Sequence, residues 1–314
     1  MGKKVNLKGG IPVSVSLDAA LQQAQVKSPA GTDKKRLLGV TALAVASAVV
    51  IGFMAKGMVL LIDLITNISF HGSFTFGYVP PGQNHLGWWV VLPPAVGGAI
   101  VGIMALYGSK AIRGHGIPEA MEMILTNQSK IKPAITYLKP ISSAISIGSG
   151  GPFGAEGPII STGGALGSMV GQLLRITPNE RKILLAAGAT AGMSAIFGSP
   201  IASIFLAIEL LLFEFAPRSI LPVAMGCITG AAMHHLLFGS APMFAMPAIA
   251  MPGNHALFVY SVIGLLIGLL SLLITKAVYW VEDGVEKLPV HWAWWPAIGG
   301  VAVGGTGYFA PRTL

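Results

Sequence analysis

Uncharged runs at residues 37–55, 88–109, 183–208 and 219–275 match or exceed the ~20 residues that span a hydrocarbon core, and they read as membrane spans. Only 10% of the 314 residues are charged and 53% are apolar, against about 25% charged in an ordinary soluble protein. The first 36 residues hold nine of the 32 charges, so the remainder is poorer still. The pattern predicts an all-α, polytopic, integral membrane protein and excludes a soluble enzyme.

The formal charge of +8 is concentrated in the same tail, where Lys3, Lys4, Lys8, Lys27, Lys34, Lys35 and Arg36 outweigh Asp18 and Asp33. Basic residues gather on the cytoplasmic side of membrane proteins. Residues 1–36 are therefore expected to form a basic cytoplasmic tail, in a bacterial inner (plasma) membrane, and no nucleic-acid partner is expected. The chain opens polar rather than with a short apolar secretory stretch. A single cysteine, Cys227, leaves neither a disulfide framework nor a cysteine metal site, and no metal or cofactor is expected.

Glycine and proline break the apolar runs at 93–98, 133–140, 148–158, 198–200 and 252–253, so the segments read as short or broken helices. A long tilted helix is expected from Arg36 to Phe70, then an external loop (71–87) without Lys or Arg, and a return through 88–109 to a cytoplasmic cluster containing Lys110 and Arg113. Further segments follow at 117–126, 133–150, 157–174, 179–196, 200–214 and 217–238. Irregular backbone at membrane depth requires protein or a polar cavity to satisfy it, so a cavity is expected. After Pro158, Gly163, Gly167 and Gly171 form one helix stripe that a neighbour can approach closely.

Part of the pattern recurs. Pro94-Ala95-Val96-Gly97-Gly98 with Val101-Gly102 returns as Pro296-Ala297-Ile298-Gly299-Gly300 with Val303-Gly304, 202 residues later. Lys56 and Asp63 return as Lys276 and Asp283 at an offset of 220. Either the Gly/Ala-rich helices resemble each other by chance, or a second unit opens near His255. Repeats meeting around broken helices are the architecture of many transporters.

Glu156 is the one charged residue between Lys139 and Arg175, in Gly151-Pro152-Phe153-Gly154-Ala155-Glu156-Gly157-Pro158 just before an apolar helix. Burying a charge in hydrocarbon costs ~3 kcal/mol or more, so such residues face a water-filled path or a partner. The surrounding glycines expose N–H groups, and the helix start adds its positive dipole end; these are the ingredients of an anion site. Glu156 either gates that site, occupying it when ionised and leaving it when protonated, or acts as a helix cap. In Gly114-His115-Gly116-Ile117-Pro118-Glu119 a second short helix begins at a polar loop, and His115 is either an anion donor or a structural turn residue.

These two loops, forty residues apart, resemble the CLC family of chloride channels and chloride/proton antiporters, which shows a Gly-Ser-Gly-Ile-Pro loop followed by Gly-Lys/Arg-Glu-Gly-Pro. The likeness runs over roughly residues 36–310. It implies an inverted-repeat fold of broken and re-entrant helices around an anion path, with Glu156 as the external gate. The implied anion-binding positions are His115, Gly116, Ile117, Gly154, Ala155 and Gly157. Lys139 matches a buried lysine of antiporter members, with snorkelling to the interface as the alternative. A homodimer through helices 200–238 is expected, with lipid and chloride or a similar anion as the other partners.

The departures from the family pattern carry information. His115 stands where the family places a coordinating serine, and Ala155 where it places a basic residue. Leu210 stands where antiporters place an internal proton-transfer glutamate, with Glu209 beside it on another face. Glu122 and Glu209 remain as proton-path candidates. The Gly-x-Phe-x-Pro loop and tyrosine of the second repeat do not follow Pro296. The chain thus reads as a basic tail (1–36), a first repeat (37–253) and the two opening helices of an incomplete second repeat (254–314). Channel-like or weakly proton-coupled chloride movement is the leading expectation. A truncated non-transporting or regulatory fragment and a tightly proton-coupled antiporter are the alternatives. An intramembrane serine protease built on Ser149 with His234 or His235 lacks the glycine its motif needs at Ile147.

Overall fold

The structure, a computed structural model, describes residues 11–12, 34–113, 116–241 and 253–311. It opens on α1 (Lys34–His71), whose 38 residues rise about 57 Å at 1.5 Å each, far beyond a perpendicular crossing. A loop and a 3-10 turn (Gly87–Val91) lead to α2 (Leu92–Tyr107), and a second 3-10 turn (Lys110–Arg113) precedes α3 (Ile117–Thr126). Next come α4 (Ile135–Gly148), α5 (Glu156–Leu173), α6 (Pro178–Phe197), α7 (Pro200–Leu206) and α8 (Pro217–Phe238). The chain closes with α9 (Asn254–Glu286), a 3-10 turn (Trp292–Trp294) and α10 (Trp295–Phe309). Among the described residues four helices, Lys34–His71, Gly87–Tyr107, Pro217–Phe238 and His255–Glu286, are long and apolar enough to cross a membrane.

Proline sets the helix starts: α2, α3, α6, α7, α8 and α10 each carry it in their first two positions, where its missing N–H costs nothing. Gly198, with φ +63, closes α6 in the left-handed conformation that ends many helices. At the centre, α6 is buried along nearly its whole length between α5 and α8, as expected of a helix that is apolar all round. The glycine stripe of α5 makes this packing close: Gly163 lies against the Gly188 carbonyl and Gly167 against that of Leu184.

Two features depart from a plain α-helical bundle. Ile11–Pro12 (β1) pairs antiparallel with Glu214–Phe215 (β2), the one strand pair among the described residues. And α7 does not continue as an α-helix but widens into a π-helical turn over Ala207–Leu212, after which buried Phe213 adopts φ +56. Apolar periodicity over so short a run does not separate i→i+5 from i→i+4 bonding.

The repeated sequence meets itself. A Cβ on Gly98 of α2 would lie 2.8 Å from Ala297 N, and one on Gly300 of α10 would lie 2.8 Å from Ala95 N. One turn further, Gly102 abuts Ala293 and Gly304 abuts Val91, again an exchange of residues 202 apart. Each contact thus recurs with its partners swapped, the mark of a self-complementary, two-fold interface. The long helices that precede them differ in environment: α1 buries a face against α4, α6 and α8, whereas α9 is exposed nearly throughout.

Candidate anion site

The two glycine loops come together. Gly116 takes φ +73, and a Cβ on it would lie 2.7 Å from Gly157 Cα and 2.9 Å from the Gly157 carbonyl oxygen. The first turns of α3 and α5 therefore meet backbone to backbone, although forty residues separate them in sequence. Neither start carries a side-chain cap. By contrast, the start of α6 is fully capped, with Thr177 and Glu180 exchanging hydrogen bonds in a capping box. The starts of α2, α4, α7, α8, α9 and α10 also lack a side-chain cap, so what sets the α3–α5 junction apart is that two such starts converge there.

A cavity of about 620 Å³ opens on this junction. Gly116, Gly154 and Gly157 line it at one end. Ser142, Ser146 and Ser149, on one face of α4 and its C-terminal turn, add polar lining, and Trp292 and Trp295, from the turn before α10 and its first residue, line it as well. Arg113 stacks over the Trp292 ring at 4.5 Å, linking the turn before α3 to the turn before α10.

Lys139 also lines the cavity and is 4% exposed. Its Nζ donates to the Ile112 carbonyl at 2.7 Å and lies 3.8 Å from Glu119 Oε2. It is held among buried acceptors rather than snorkelling to the interface. Glu119 Oε2 also accepts from Ser161 Oγ on α5 at 3.3 Å.

The remaining sequence-predicted residues fall as follows. Glu156 is the first residue of α5; its side chain is exposed and lies outside the cavity lining, while flanking Gly154 and Gly157 are in it. Ala155 is half-buried just before it. Ile117 opens α3, half-buried against the core. His115 lies outside the described residues. Glu122 is exposed on α3 and Glu209 is exposed on the π turn, whereas Leu210 packs against the core. Ser149 gives its hydroxyl proton to the Ser146 carbonyl, and His234 Nδ1 faces the Ala195 carbonyl, so neither is arranged as a nucleophile–base pair.

Three groups escaped the sequence reading: Glu119, Ser161 and the Arg113–Trp292 contact. Glu119 was visible in the motif, but its partners come from α4 and α5. A second ionic cluster was missed likewise. Lys182, buried at the start of α6, lies 3.6 Å from Glu214, which also meets Arg218 at 3.2 Å and accepts from Ser219 at 2.5 Å. Lys182 Nζ donates to the Leu212 carbonyl at 3.1 Å, fastening the end of the π turn.

Residues 96–314 match the voltage gated chloride channel family. The chain is 27% identical over 293 residues to chloride channel protein CLC-e of Arabidopsis thaliana, covering 87% of this chain and 40% of that protein. It is 26% identical to a putative chloride channel protein, ClcB-like, of Ralstonia nicotianae, covering 72% and 54% respectively. The chain thus spans about half, or less, of the length of these relatives. Among solved structures it resembles a slow cyanobacterial Cl−/H+ antiporter (TM-score 0.74, 20% identity, 86% of this chain and 64% of that one). It also resembles a CLC-type fluoride/proton antiporter (TM-score 0.72, 16% identity, 90% and 68%).

Proposed function

Because the chain belongs to the voltage-gated chloride channel family and is a multi-pass integral membrane protein, we propose that it builds one side of a transmembrane pathway for chloride or a similar anion, with Glu156 as the gate. One observation carries the reading: two helix starts without side-chain caps, α3 and α5, converge at Gly116 and Gly157 on a cavity that holds a buried lysine. First-turn N–H groups without a side-chain cap and positive dipole ends favour an anion there. Gly116, Ile117, Gly154, Ala155 and Gly157 supply the backbone of the site, and Glu156, one residue before Gly157, competes with the anion for it when ionised.

Leu210, packed against the core, offers no proton acceptor, and Glu209 beside it on the π turn is exposed. Glu122 on α3 is similarly exposed. These placements support passive or weakly coupled movement over tight antiport. The N-terminal tail is cytoplasmic, in a bacterial inner membrane. Two copies associate through the face carrying Ile201, Phe205, Leu221, Met225 and Ile228, which is exposed in the single chain.

Chloride efflux from vesicles containing the purified chain tests the proposal. Flux above that of protein-free vesicles supports it. Flux at the protein-free level assigns the chain to the non-transporting alternative.

A further inference from the structure

The loop after α3 and the connection between α5 and α6 form one corner of the molecule, stitched together by side chains. Ser168 Oγ of α5 donates to the Ser129 carbonyl at 2.6 Å and accepts from the Ile131 N–H at 3.0 Å. Gln172 Nε2 donates to the Ile131 carbonyl at 2.9 Å, and the Arg181 guanidinium of α6 donates twice to the Gln128 carbonyl, at 2.8 and 3.0 Å. Ile131 is buried, and Lys130 and Lys132 on either side of it are exposed. Three of the four non-glycine residues with positive φ among the described residues lie here: Gln128 (φ +51), Ser129 (φ +60) and Arg175 (φ +52). Such backbone is costly for an L side chain and persists where the surrounding contacts impose it, often at functional sites.

Residues 127–132 and 171–182 carry five cations and one carboxylate, Glu180. Arg181 and Lys182 are buried and bonded to carbonyls, and Glu180 is engaged by Arg36 and by the α6 capping box. What the corner presents at its surface is Lys130, Lys132 and Arg175, beside Leu173 and Leu174, which are 72% and 53% exposed. Leucines exposed next to cations fit a membrane interface, where apolar side chains enter the acyl boundary and cations meet headgroup phosphates. The Arg36–Glu180 pair puts this corner on the side of the molecule where α1 begins, next in sequence to the basic tail.

We propose that this corner binds an anionic phospholipid of the surrounding leaflet, with Lys130, Lys132 and Arg175 around its headgroup phosphate and Leu173 and Leu174 against its acyl chains. The hydrogen bonds from Ser168, Gln172 and Arg181 hold the 128–132 backbone in place before the lipid arrives, so little ordering is left to the binding step. The corner and the Gly116–Gly157 junction lie at opposite ends of α5, so the lipid site and the anion site stand or fall separately.

The experiment is thermal unfolding of the purified full chain in neutral detergent, titrated with phosphatidylglycerol or with zwitterionic phosphatidylcholine. A ligand that binds the folded state stabilises it as occupancy rises. Phosphatidylglycerol is expected to raise the midpoint more than phosphatidylcholine does. The triple variant Lys130→Gln, Lys132→Gln, Arg175→Gln should need more phosphatidylglycerol for half the shift, about fivefold per cation removed. Lys287→Gln, which removes an exposed cation just after α9, should change that requirement by less than about twofold. Equal shifts from both lipids in the parent, an unchanged response in the triple variant, or an effect of Lys287→Gln as large per charge as that of the triple variant overturns the proposal. A shift given equally by inorganic phosphate, or by poly-glutamate standing in for an acidic protein face, overturns it too, because the partner is then soluble. If the triple variant does not fold, the double variant Lys130→Gln, Lys132→Gln decides by the same comparison.

Discussion

Gly116 touches Gly157 directly, with no room for a side chain on the former: a Cβ there would lie 2.7 Å from the Gly157 Cα. The reverse does not hold, because a Cβ on Gly157 meets nothing within 4 Å. The junction on which the functional reading depends is therefore asymmetric in what it tolerates.

Gly116→Ala combines a steric clash with a backbone at φ +73, and it should lower stability by about 1–3 kcal/mol. Gly157→Ala, in the first turn of α5 with open space around it, should change stability by less than about 1 kcal/mol. Thermal unfolding of the two variants side by side measures the difference; equal effects would contradict the described contact.

The reciprocal α2–α10 interface yields a paired expectation. Gly98→Val and Gly300→Val push a side chain into equivalent backbone, at Ala297 and Ala95, and should destabilise by similar amounts, about 1–3 kcal/mol or more each. Their neighbours should differ. Gly97 abuts Ser149 whereas Gly299 faces open space, so Gly97→Val should be damaging and Gly299→Val mild. Matched losses at 97 and 299 would contradict the packing.

Much of this architecture was legible in the sequence. Proline marks the starts of α3, α6, α7 and α8 and glycine the ends of α4, α6 and α8, because a missing N–H or Cβ acts locally whatever the tertiary context. The repeat was visible as two copies of Pro-Ala-x-Gly-Gly, although its reciprocal contact needed coordinates. What stayed hidden depends on contact between distant elements: Lys139 with Glu119, Lys182 with Glu214, and Arg113 over Trp292. Nothing in the spacing of those residues announces a meeting. The π turn at 207–212 was equally silent, and it governs where Glu209 and Leu210 point.

The Lys182–Glu214–Arg218 cluster beside the π turn and the exposed pair at the start of α1 should separate clearly. Lys182→Met leaves Glu214 with its second cation only and frees the Leu212 carbonyl, and it should cost about 3–5 kcal/mol, as breaking buried pairs does. Arg36 also pairs with a carboxylate, Glu180, but its side chain is 58% exposed. Arg36→Ala should therefore cost about 0–1 kcal/mol, and less at high salt. Unfolding midpoints at low and high salt provide the comparison.

The central claim is that anions pass the Gly116–Gly157 junction under the control of Glu156. The most direct measurement is the pH dependence of chloride efflux from vesicles containing the parent chain or Glu156→Gln, which fixes the side chain in a neutral form. The account predicts flux in the parent that rises as pH falls, and flux in the variant that is nearly flat across the same range. An unchanged pH profile in a well-folded Glu156→Gln protein would contradict it.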